Sequence, residues 1–148
     1  MDEKNIYNLV DKVIYDIGRA SDMCWIIFGS QINDEYFSLH LQCPWRIRKG
    51  NKILISNLDI YEMISENEDA DWDDTKKNIF DEKIEKLLGD EQIRVEKVMY
   101  TEVYDLSIHL SHSLVFECFV NDLKYECWRY LKKGEKQHLV ITGKGVEE

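Results

Sequence analysis

The stretch Glu35-Tyr36-Phe37-Ser38-Leu39-His40-Leu41-Gln42-Cys43 alternates without interruption. Phe37, Leu39, Leu41 and Cys43 fall on one side, and Tyr36, Ser38, His40 and Gln42 on the other. A period of two is that of a strand with one buried face, so the chain builds sheet here. The lone proline, Pro44, follows at once and interrupts the ladder, which implies a bulge or an edge. Trp45-Arg46-Ile47-Arg48 resumes extended chain. Lys49-Gly50-Asn51 signals a turn, and Lys52-Ile53-Leu54-Ile55-Ser56 answers as the second arm of a hairpin.

Upstream, Asp2 to Ile17 reads as a helix. Ile6, Leu9, Val10, Val13, Ile14 and Ile17 recur at helical spacing, Asp2 offers a cap and Gly18 a stop. Met23 to Phe28 is continuously apolar and reads as a strand buried on both faces. Downstream, residues 59–74 carry Asp59, Glu62, Glu66, Glu68, Asp69, Asp71, Asp73 and Asp74 around Trp72 and read as an acidic connecting loop. Thr75 to Leu88 reads as a second helix with a Phe80, Ile84, Leu87 stripe, widened by Ile79 and Leu88 and closed at Gly89. Strands then follow at Ile93–Tyr100, Leu106–Leu110, Leu114–Val120, Lys124–Leu131 and His138–Thr142, with a turn at Asn121-Asp122.

The opening stretch has an echo. Phe37-Ser38-Leu39-His40-Leu41-Gln42 recurs as Leu106-Ser107-Ile108-His109-Leu110-Ser111, 69 positions later. The pair Trp45-Arg46 recurs as Trp128-Arg129, and Ile53-Leu54-Ile55-Ser56 as Leu139-Val140-Ile141-Thr142. The expectation is one α+β domain over 1–148, mainly antiparallel sheet with two helices. It would be built from duplicated α-β-β-β halves, 1–58 and 72–148, joined by the acidic loop. A partly open barrel is the alternative arrangement.

With 148 residues, the chain is long enough for one self-sufficient core. A net charge of −10 argues against nucleic acid and against anionic membranes, and it suits a basic protein partner. The start Met1-Asp2-Glu3-Lys4-Asn5 lacks a signal-peptide pattern, and no run approaches the length of a membrane span. The cytoplasm is therefore the expected compartment, with Cys24, Cys43, Cys118 and Cys127 as reduced, buried thiols.

Catalytic templates fail. GxSxG, P-loop, GxGxxG and HExxH patterns are missing from the sequence. His40-x-x-Cys43 and His109-x-x-His112 have ligand-like spacing, but i and i+3 on a strand face opposite ways, so no metal or cofactor is expected. The acidic loop fits no calcium-binding register, since Lys76 falls where glycine is needed when the loop starts at Asp71. A Cys43–His109 nucleophile pair would need neighbouring strands and an exposed thiol. The Trp-Arg pairs place Trp45 and Trp128 in the core, while Arg46 and Arg129 can pair with Asp59, Glu117 or Glu126.

The stretch His40-Leu41-Gln42-Cys43-Pro44-Trp45-Arg46 resembles a small family of uncharacterised bacterial proteins whose members carry H-x-x-C-x-W-R. Ser56-Asn57-Leu58-Asp59 matches the Ser and Asp of that family's next turn but lacks its Gly. Trp72-Asp73, Phe116 to Asp122, Glu126-Cys127-Trp128-Arg129 and His138-Leu139-Val140-Ile141-Thr142-Gly143 are similar to its later motifs. The resemblance runs from His40 onward and implies no established activity. By analogy, small acidic chains of this kind resemble immunity or accessory proteins beside toxin genes.

Two functional expectations result. The first is a non-catalytic protein-binding domain that meets a basic partner through Glu68, Asp69, Asp71, Trp72, Asp73 and Asp74. The second is a small-molecule site or enzyme around His40, Arg46, His109 and Arg129. Trp45, Asp59, Glu126 and Trp128 are expected to be structural.

Overall fold

The computed structural model describes residues 1–30, 32–62 and 78–147. The fold is α+β and mainly antiparallel; the described residues form two sheets, one α-helix and two short 3-10 helices, Glu3–Leu9 and Asn57–Tyr61. Strands β1 (Val13–Ala20), β2 (Met23–Ser30) and β3 (Glu35–Leu41) form a meander in the first sheet. β4 (Trp45–Lys49) and β5 (Lys52–Ser56) then form a hairpin in the second. After α1 (Ile79–Asp90), β6 (Val95–Tyr100), β7 (Leu106–Leu110) and β8 (Leu114–Cys118) complete the second sheet. β9 (Trp128–Lys132), β10 (His138–Thr142) and the short β11 (Gly145–Val146) return to the first.

The first sheet runs β1-β2-β3-β9-β10-β11 and the second β5-β4-β8-β7-β6. Each keeps two edge strands, so neither closes into a barrel. They meet where the start of β1 bridges the approach to β6, at Val13 and Arg94, with backbone hydrogen bonds from Asp11, Ile14 and Val95. The inner faces share one core. Phe37, Leu39, Leu41, Trp128 and Tyr130 come from the first sheet, and Trp45, Ile47, Ile108 and Phe116 from the second.

The order of strands is nearly unchanged when the halves are exchanged. Each half gives a three-strand meander to one sheet and a hairpin to the other; β11 is the extra piece. Under this exchange β4 corresponds to β9 and β5 to β10, which aligns the two Trp-Arg pairs. The 69-residue echo does not fit it. β3 stands third from its sheet's β1 edge, whereas β7 stands second from the β6 edge. Among the described residues the first half supplies five strands and the second six, rather than three each, and the first carries no α-helix.

The expected helix over Asp2–Ile17 is corrected. Chain over Glu3–Leu9 is 3-10, Asp11 takes a left-handed φ of 71°, and Val13–Ala20 is strand. The helical spacing of Ile14 and Ile17 has another cause. A bulge between Ile14 and Asp16 inserts one residue, so two side chains three apart both point inward. β2 is also corrected: it is not buried on both faces. Cys24, Ile26 and Phe28 point inward, and Trp25 and Ile27 stand half-buried outside. The expected strand over Lys124–Leu131 begins only at Trp128, because Phe119–Cys127 is the connection that carries the chain back to the first sheet.

The second helix forms at Ile79–Asp90 and runs through Gly89; Thr75 lies outside the described residues. Asn78 and Asp81 form a capping box, with each side chain accepting the other's backbone N–H. The Asn78 amide also donates to the carbonyl of Ile60, tying α1 to the second 3-10 helix. Phe80 and Ile84 are the buried anchors.

Candidate functional site

Alternation sends every second side chain of β2, β3, β9 and β10 to the outer face of the first sheet. Register then places Gly18, Trp25, His40, Arg129 and Val140 in one row across five strands. Ile27, Ser38, Leu131 and His138 form the next row.

Two of the aromatic rings on this face lie over glycines of the neighbouring strand. A Cβ at Gly18 would meet the Trp25 indole at 2.6 Å, and one at Gly29 would meet the Tyr36 ring at 2.9 Å. Gly18 is not the helix stop that the sequence suggests but lies inside β1, and Gly29 lies inside β2. They leave flat seats on which large rings can lie without being buried.

Beyond His40 in the same row sits a polar cluster around Arg129. Arg129 donates twice to Glu126 Oε1, at 3.0 and 2.6 Å, and its Nη1 lies 3.0 Å from His138 Nδ1. Because guanidinium only donates, this contact requires a bare Nδ1, with the imidazole proton on Nε2. Gln42 donates to the other Glu126 oxygen. Burial pushes the His40 imidazole below its usual value; Glu126 opposes the shift, while Arg129 and His138 add to it. His40 therefore stays neutral to lower pH than a free histidine.

The outer face of the second sheet is chemically different. Arg46 and Arg48 both donate to Glu117 Oε1, at 3.0 and 2.8 Å, and Arg46 also lies over the Phe119 ring. Partial burial raises the Glu117 carboxyl, but the two guanidinium groups outweigh it and hold the acid below its usual range. His109 lies in the adjoining row, opposite Val115 and Lys97.

The four residues of the small-molecule expectation therefore split into pairs. His40 and Arg129 share the first sheet's outer face, and Arg46 and His109 the second's. Cys43 is buried inside, so it neither joins His40 as a ligand pair nor meets His109 as a nucleophile. Burial also raises the Cys118 thiol well above its usual value, with Cys43 beside it, and the Cys24 thiol to about 11. Thiols held protonated this way are poor nucleophiles. Trp45 and Trp128 are core residues, and the Trp128 indole donates to the Tyr104 carbonyl. Asp59 is not an exposed acid: it is buried, caps the second 3-10 helix and pairs with Lys83 at 3.1 Å. Glu68, Asp69, Asp71, Trp72, Asp73 and Asp74 lie outside the described residues.

Four of the five arginines, Arg19, Arg46, Arg48 and Arg129, are paired with carboxylates of the fold itself. No helix among the described residues is long and apolar enough to cross a membrane. Comparison with protein-family models, curated proteins and solved structures finds no match.

Proposed function

We infer that this chain is a non-catalytic protein-binding domain whose partner is basic, and that the outer face of the first sheet is its contact surface. One observation carries the reading: Trp25, Tyr15 and Tyr36 are held on the outside of a sheet whose core is already complete. Trp25 and Tyr36 are seated on glycines, and Tyr15 is 68% exposed. Rings of this kind are the usual anchors of protein interfaces. A net charge of −10 supplies long-range attraction for a basic surface. The arginines that would recognise phosphate are already committed to internal carboxylates, which disfavours a nucleic-acid ligand.

The test is capture on the immobilised protein from lysate of its native host, compared among wild type, Trp25→Ser, and a charge-reversed variant of Asp69, Asp71, Asp73 and Asp74. A basic protein bound one-to-one, released by high salt and lost with Trp25→Ser supports the reading. Circular dichroism confirms that the variant remains folded. Retention by Trp25→Ser together with loss in the charge-reversed variant moves the contact to the acidic segment. A neutral partner, or one indifferent to salt, overturns the basic-partner reading.

A further inference from the structure

Tyr15 is the extra residue of the β1 bulge, and the bulge turns its side chain outward. Two strands away, Tyr36 lies over Gly29, whose missing side chain leaves the space between them open. The rings meet at 5.6 Å between centroids and 68° between planes, forming two walls of a corner. That corner opens into a cleft of about 680 Å³ whose floor includes Ile27, Ser38 and Leu131 and whose rim carries Asp34 and Glu135. One cation already stands there. Lys133 Nζ lies 5.5 Å from the Tyr36 ring centre, and the Lys133 backbone N–H donates to the Tyr36 carbonyl. The neighbouring Lys132 turns to the other side of the strand, over the Phe37 ring, and is tied to Glu35 at 3.5 Å and Glu135 at 4.0 Å.

We propose that the Tyr15–Tyr36 corner is the seat of one cationic side chain presented by the basic partner, and that Lys133 fills it when the partner is absent. Ring faces attract an ammonium or guanidinium. Asp34 and Glu135 add charge, and Ile27 and Leu131 receive an aliphatic stem. Lys133 is the chain's own stand-in, and its movement away leaves the ring face and the rim carboxylates to the incoming group. The proposal rests on the basic-partner reading for the source of the cation, but the site can be tested without the partner.

The experiment is a titration of the purified protein with Nα-acetyl-lysine methylamide, following the tyrosine ring resonances by NMR. The uncharged norleucine counterpart is the control. Saturable shifts at Tyr15 and Tyr36 are expected with the lysine derivative alone. Lys133→Ala should tighten binding about threefold, and Tyr36→Leu should abolish the Tyr15 shift. Equal shifts with norleucine, or indifference to Lys133→Ala, overturn the proposal. If the titration succeeds while no basic partner is captured, the cation seat stands and the partner reading falls. If Tyr36→Leu still captures the basic partner at full strength, the partner reading stands and its anchoring here falls.

Discussion

At the scale of single residues, two glycines and one histidine govern the outer face. A methyl at Gly18 would press into the Trp25 ring at 2.6–2.8 Å. Gly18→Ala should therefore lift the indole and lower stability by about 1–3 kcal/mol in urea denaturation. Gly89→Ala is the matching control, since nothing lies within 4 Å of a Cβ there and the residue is in α1. It should stabilise by roughly 0.5–1 kcal/mol. His40 gives a pH signature. Its folded state takes up a proton less readily than the unfolded chain, so acid favours unfolding. The His40 contribution is complete above the ordinary histidine pKa of about 6.5 and is lost as pH falls below it. Melting temperature should drop between pH 7 and 5.5, with a smaller drop in His40→Asn; identical profiles would remove His40 from the balance. None of this is legible in sequence, because a glycine that seats a ring from the neighbouring strand has no local signature.

At the scale of elements, what could be read was whatever kept its period. β3 and α1 declare themselves because Phe37, Leu39 and Leu41 alternate and Phe80, Ile84 and Leu87 follow the helix. β1 hides because its bulge puts Ile14 and Ile17 at a helical interval while the chain is extended. β2 reads as wholly buried because Trp25 and Ile27 are apolar on its outer side, the side that carries the candidate contact surface. α1 depends on one residue more than its stripe suggests. Asn78 is fully buried, accepts from the Asp81 N–H at 3.1 Å and donates to Ile60 at 2.7 Å. Asn78→Ala removes the cap and the buried hydrogen bond to the Ile60 carbonyl. A loss of about 2–3 kcal/mol in urea denaturation is expected. A loss near zero would mean that Phe80 and Ile84 hold the helix without its cap.

At the scale of the molecule, the two Trp-Arg pairs fall on β4 and β9, which hold equivalent places in the strand order, while the longer echo joins β3 and β7, which hold different places in their sheets. Composition repeats more freely than topology does. The exchange of hairpins ties the halves together: Leu41 of β3 pairs with Trp128 of β9, and Trp45 of β4 with Cys118 of β8. A fragment of residues 1–62 made alone should therefore show no cooperative thermal transition. The layout also sets a timetable for synthesis. A chain emerging from the ribosome has β3 in hand 87 residues before Trp128, its partner at Leu41, appears. Until then the inner edge of the first meander stays unpaired and its share of the core stays wet. The first sheet cannot close before β9 is made, after every strand of the second sheet, and that interval is when a bound chaperone would count most.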